Sequence, residues 1–186
     1  MKYFGRLLGV ALISLSGLTF SCRSEDHSPV SYTITQTPDS SVLSASSPYE
    51  RCGKSYEMAE MVNQHREANG IKPLGVNPLL NESAQVKADD MATNNYFSHN
   101  SPDGKGLIDY MKGAGIDPDN SFAWAGENLA KNNYPNPIEI AMIGLEASKG
   151  HDENLSREKF TMIGIGVAYD PLYDRCYYVQ HFLGPG

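Results

Sequence analysis

Clustered positive charge is missing from this chain. Its 15 lysines and arginines are scattered among 22 aspartates and glutamates, for a net charge of −7. Binding a nucleic-acid backbone needs concentrated Lys and Arg, so that partner class is excluded. A His-Glu-x-x-His helix is also missing, and no motif singles out a serine or cysteine nucleophile. There is no internal repeat. The apolar run from Leu7 to Phe20 is too short to span a bilayer comfortably. The single tryptophan, Trp124, reads as a core residue, and cysteine is limited to three positions.

What is present begins with an export signal. Lys2 and Arg6 precede the apolar run, which has the shape of a secretory signal peptide over residues 1–21. It ends in "LTFSC", where a small residue before a cysteine resembles a bacterial lipoprotein signal with Cys22 as the lipidated residue. The rival reading is ordinary cleavage after the small-x-small sequence Thr19-Phe20-Ser21. We prefer the first, which makes the chain an exported cell-envelope lipoprotein, periplasmic or surface-exposed; the second makes it secreted. Residues 22–48 are rich in Ser, Thr and Pro and hold too little apolar surface to offset ordering entropy, so they read as a tether. The membrane then enters only through the lipid anchor, and residues 49–186 form one domain.

Assigning Cys22 to lipid leaves Cys52 and Cys176. In an oxidising compartment the pair is expected to form a disulfide closing a loop of more than a hundred residues. Two buried free thiols are the alternative.

Helical spacing covers the first half of the domain. "YEMAEMVNQHREAN" places Met58, Met61 and Val62 on one face and stops at Gly70. "NPLLNESAQVKADDMATNNYF" spaces Leu80, Ala84, Ala88 and Met91 behind a first-turn Pro78. Shorter helices are expected over Gly106–Lys112 and Pro137–Ala147. The chain then changes period. "TMIGIGVAY" and "CYYVQHF" alternate as strands, and "DPLYDR" joins them as an antiparallel hairpin. Gly164, Gly166 and Ala168 leave one face of the first strand flat, so something packs closely there. "SFAWAGENLA" is a shorter candidate strand. Helices first and strands last predict an α+β sandwich with an antiparallel sheet covered by helices.

Three stretches carry chemistry: "YFSHNSP" with His99, "AGENLA" with Glu127 and "ASKGHDENL" with His151. Two imidazoles and a carboxylate suit Zn²⁺ or another divalent metal with one position left open. The same groups suit acid–base work near neutral pH. His65 and Arg66 read as surface groups, His181 as an ordinary strand residue, and His27 lies in the tether.

These stretches, with "MVNQHREANGIKPLG", "IGIGVAY" and "YYVQHF", occur in an order that resembles bacterial members of the CAP superfamily. That superfamily takes in the cysteine-rich secretory, antigen 5 and pathogenesis-related 1 proteins, also called SCP-like extracellular domains. The resemblance spans about residues 56–183. It implies a single-domain α-β-α sandwich whose cleft is lined by histidines and acids. His99 and His151 match the family's two histidines, and Glu127 matches the glutamate of its Gly-Glu-Asn motif. Asn63 and Arg66 match a structural Asn-x-x-Arg stretch. Glu146 is a weaker candidate for a second acid. Leu145 stands where many bacterial relatives have Trp, and Asp152 follows His151 where Arg is common, which would make the cleft rim more acidic.

Two functions compete. In the first, the domain binds a lipid, glycan, peptide or host protein through the cleft, with His99 and His151 holding a divalent ion. In the second, a metal-assisted hydrolase uses His99 and His151, with Glu127 as base. Binding is preferred, because many proteins of this superfamily have no established catalytic activity. For the anchor, the processed protein is expected to start at a lipidated Cys22. Intact-mass analysis that finds an unmodified Cys22 amine would disprove it.

Overall fold

The computed structural model describes residues 19–22, 30–33, 48–117 and 124–185. The chain divides into two compact units, Met1–Ala45 and Ser46–Gly186. In the first, β1 (Thr19–Cys22) pairs antiparallel with β2 (Val30–Thr33). The rest of the expected signal peptide and tether, and the Cys22 side chain, lie outside the described residues. Among the described residues no helix is long and apolar enough to cross a membrane.

The second unit is the domain. Its helices are α1 (Pro48–Cys52), α2 (Ser55–Ala68), α3 (Pro78–Thr93), α4 (Leu107–Gly113), α5 (Pro137–Glu146) and α6 (Lys149–Leu155). Its strands are β3 (Gly75–Val76), β4 (Trp124–Asn132), β5 (Met162–Asp170) and β6 (Arg175–Gly184), in the sheet order β3-β5-β6-β4. The expected hairpin is β5–β6, antiparallel with Asp170 opposite Arg175. Three differences from expectation stand out. The sheet is mixed, because the short β3 runs parallel to β5. β4 runs on to Asn132, two residues past the expected stretch, and is paired along its whole length with β6. "SKGHDENL" forms a helix of its own, α6.

Helices cover both faces, giving the α-β-α sandwich. On one face, Met58 and Val62 of α2, Met142 and Leu145 of α5 and Leu155 of α6 pack on Ile163, Ile165, Tyr178 and Phe182. On the other, Ala84, Ala88 and Met91 of α3 meet Leu129, Tyr177 and Val179. Helix α3 starts where Asn77 accepts hydrogen bonds from the Leu79 and Leu80 amides and Pro78 takes the first turn. It lies directly on the flat face of β5. A Cβ on Gly164 would stand 2.1 Å from the Leu80 carbonyl carbon, and one on Gly166 2.1 Å from the Ala84 oxygen. Only glycine allows backbone to approach backbone this closely.

Arg66 corrects the surface reading. It is 1% exposed, and its guanidinium donates to the carbonyls of Lys72, Leu155, Arg157 and Phe160 at 2.8, 2.7, 3.1 and 3.4 Å. Asn63 holds Leu74 through both its amide groups. The Asn-x-x-Arg stretch therefore ties α2 to the segments that follow it and α6. Trp124 also departs from expectation: it is half-buried, with the Lys159 ammonium 3.7 Å from its ring centroid.

Cys52 and Cys176 are joined, with Cα atoms 5.5 Å apart across a sequence separation of 124. Closing so long a loop removes entropy worth on the order of 4 to 5 kcal/mol from the unfolded chain. A Cys52→Ala, Cys176→Ala variant should lose stability of that order in urea unfolding. A loss below about 1 kcal/mol would show that the bond contributes little.

Candidate functional site

The site is built around one buried carboxylate. Glu127 sits in β4 opposite His181 of β6, and its side chain is 4% exposed. Each of its oxygens is taken. Oε1 lies 2.6 Å from His99 Nδ1, and Oε2 lies 2.9 Å from His181 Nε2. His181 is fully buried, and its Nδ1 lies 2.9 Å from Ser83 Oγ on α3. Burial lowers the His181 pKa, against the opposing pull of Glu127, and so favours the neutral ring. A neutral His181 that donates from Nε2 to Glu127 accepts from the Ser83 hydroxyl at Nδ1. The result is a chain running Ser83, His181, Glu127, His99 from the core to the surface, where His99 is 61% exposed.

The loop carrying His99 is fixed from below. Lys87 of α3 is fully buried and donates to the His99 carbonyl at 3.1 Å and to the Tyr96 hydroxyl at 3.2 Å. Its ammonium also lies 4.8 and 5.0 Å from the Tyr96 and Tyr110 ring centroids. Burial pushes the Lys87 pKa down, while Glu127 and Asp90 oppose that shift. Both tyrosine hydroxyls donate to Asp90, Tyr110 at 2.6 Å. Beyond His99, Ser101 and Lys105 close a turn through mutual hydrogen bonds, with Gly104 at φ 90°.

His151 comes from the opposite layer. Asn128 of β4 donates to the His151 carbonyl at 3.2 Å, and Asn154 of α6 donates back to the Asn128 side chain at 2.9 Å and to the Glu127 carbonyl at 3.3 Å. These two asparagines dock α6 on β4. Burial, and then the nearby charge of His99, push the His151 pKa below its usual value. Beside His151 opens a cavity of about 370 Å³ lined by Phe97, Leu129, Lys131, Tyr134, Ile140 and Leu145, among others.

The structure thus joins His99 to Glu127 by a hydrogen bond and brings His151 within electrostatic reach of His99. It does not bring Glu146 to them. That carboxylate lies 3.5 Å from His65 Nδ1, and Asp152 lies 3.0 Å from His65 Nε2, so both acids face α2 and not the cleft rim. Among the described residues no three of His, Cys, Asp and Glu are grouped to hold an ion. The open donor set is His99 Nε2 and His151. Sequence reasoning missed His181, Ser83 and Lys87. A signal existed: Ser83 and Lys87 fall on the same helical face as Leu80, Ala84 and Ala88, where a polar group must find a buried partner.

Comparison with known proteins agrees with this architecture. The family model for the cysteine-rich secretory protein family, CAP, matches residues 59–182. The uncharacterized protein YkwD of Bacillus subtilis (strain 168) is 37% identical over 126 residues, which cover 68% of this chain and 45% of YkwD. An extracellular SCP-domain protein of Bacillus anthracis str. Ames superposes with a TM-score of 0.61 at 29% identity, over 73% of this chain and 41% of that one. An outer surface protein of Borrelia burgdorferi shares the fold, with a TM-score of 0.61 at 17% identity, over 70% of this chain and 92% of its own. This chain spans less than half the length of the two Bacillus proteins. With its α-β-α sandwich and a family match over most of the domain, the chain belongs to the cysteine-rich secretory protein (CAP) family.

Proposed function

We propose that the domain is an exported binding module, held at the cell envelope through Cys22, that seats its ligand in the cleft between His99 and His151. One observation carries this reading: both oxygens of Glu127 are already engaged, by His99 and His181. A carboxylate held at both ends orients an imidazole and is poorly placed to take a proton from water. The one serine in this chain of contacts, Ser83 beside His181, is fully buried and out of reach of a substrate, so what remains is a surface that recognises, with His99 Nε2 pointing away from its anchor. The apolar cavity beside His151 supplies the contact area.

Two imidazoles suit a divalent ion such as Zn²⁺ bound at two points, with water or ligand atoms completing its shell. They do not form a closed three-ligand centre. Bound there, the ion would supply positive charge to an anionic ligand group. Glu127 would orient His99, and the lone pair of neutral His151 would complete the pair.

Calorimetry with Zn²⁺ tests the donor pair. The wild type should bind, His99→Ala and His151→Ala should each lose at least tenfold, and Glu127→Gln should lose about 10- to 100-fold through the misoriented His99. Binding should also fall as pH drops. His151 has its pKa below the usual 6.5, so its lone pair survives to a lower pH than a free histidine's and is lost only as pH falls through that depressed value. Unchanged binding in the histidine variants, or a wild type that takes no Zn²⁺, would remove the metal and leave the cleft to an organic ligand. Turnover of an ester or peptide abolished by His99→Ala would replace the binding reading with the hydrolase.

A further inference from the structure

The two edges of the sheet are treated differently. The Thr161 amide, at the entry to β5, donates to the Leu183 carbonyl at 2.8 Å. Odd-numbered residues of β6 therefore direct their backbone groups toward β5, and even-numbered ones toward β4. With Asn128 opposite Gln180, the even-numbered residues of β4 bond to β6 and the odd-numbered ones face outward. The Glu127 carbonyl agrees, since it accepts from Asn154 on the outer side at 3.3 Å.

On β5 the outward groups are closed off. Ile163 accepts from the Asn77 amide at 3.0 Å, Ile165 donates to Asn81 at 2.9 Å, and Gln85 bonds Val167 in both directions at 3.1 and 2.8 Å. On β4 the outward N–H and C=O groups of Leu129 and Lys131 have no partner among the described residues. Strand geometry sets those two residues about 6.7 Å apart, the repeat at which a neighbouring strand presents its own groups. They line the cavity that ends at His151.

The cavity also has a sign. Among the described residues its lining contains no aspartate or glutamate, in a chain of net charge −7; the groups that can carry positive charge are Lys131 and His151. Lys131 lies 4.7 Å from the Phe97 ring centroid, at the groove wall. Its other walls are Tyr134 and the Ile140–Leu145 face of α5.

We propose that the outer edge of β4 is a docking site for an extended peptide, which joins the sheet as an additional strand with apolar side chains in alternation and a carboxylate facing Lys131. An edge with unpaired backbone groups is a template for such pairing, and side-chain pockets then give specificity. The acid-free groove selects an acidic strand, and the apolar walls take every second side chain. This deepens the binding reading of the cleft and rests on it.

The test uses the full chain, ¹⁵N-labelled, with acetylated heptapeptides of alternating threonine and valine ending in aspartate. Amide exchange at Leu129 and Lys131 should slow at least tenfold on saturation. Methylating the alternate peptide amides that face β4 should abolish the effect, whereas methylating the other set should not. Lys131→Gln should weaken the acidic peptide several-fold and leave a peptide ending in asparagine unaffected. Lys131→Pro removes an outward N–H without touching the ladder to β6 and should abolish docking of both. Unchanged exchange at both amides overturns the proposal, as does equal binding of the two methylated peptides. Protection by phosphatidylglycerol vesicles with none by peptide would overturn it in favour of a lipid. A peptide that shifts the His99 and His151 resonances but leaves Leu129 and Lys131 exchange unchanged would overturn this strand while sparing the binding reading.

Discussion

The contact on which the rest depends is that between the backbone of α3 and the bare face of β5. Gly164 and Gly166 let the helix lie against the strand with no side chain between them. At that distance Asn81 and Gln85 reach past the strand and occupy its outward groups. The same face of α3 presents Ser83 to His181 and Lys87 to the loop of His99. A helix standing one methyl group farther out would leave these polar groups buried and unpaired, at a cost of about 1 to 3 kcal/mol each. Close packing and site geometry are here a single constraint.

Glu127 and Lys87 show how ionisable groups are kept inside such a core. Neither touches the other, yet each is surrounded. The carboxylate has an imidazole on each oxygen; the ammonium has a carbonyl, a hydroxyl and two ring faces. Burial of such groups is tolerated when every donor and acceptor is occupied, and a half-satisfied network is worse than an apolar core. The arrangement therefore specifies one geometry, and His99 inherits it.

Much of this was legible in the sequence. Apolar spacing located α2 and α3, the alternation of "TMIGIGVAY" and "CYYVQHF" located the hairpin, and the flat glycine face implied close approach, because each of these follows from a local period. The stretches around His99, Glu127 and His151 were legible as motifs. What stayed hidden was tertiary. The strand containing Trp124 runs two residues past "SFAWAGENLA", because Lys131 and Asn132 have no strand propensity of their own and are held by pairing with Tyr177 and Cys176 of β6. Arg66 looked like a surface residue because nothing local says that four distant carbonyls await it. His181 looked ordinary because its role depends on a register that brings it opposite Glu127, and Glu146 is drawn aside by His65, whose position depends on how α2 meets α5.

The Cys52–Cys176 bond also has a mechanical meaning. Any pull on the chain ahead of Pro48 reaches Cys52 after a single helical turn and passes through the disulfide into the start of β6. β6 is hydrogen-bonded on both sides, to β5 and to β4. Tension is therefore handed to the strand with the most lateral bonds, and α2 and the helices behind it are bypassed. Arg51, bonded to Asp174 and to the carbonyls of Asn133 and Tyr134, spreads the same load over the hairpin turn and the loop after β4. A domain held at a surface against flow or the movement of a bound partner would transmit force along its sheet without unwinding α2 or the helices behind it.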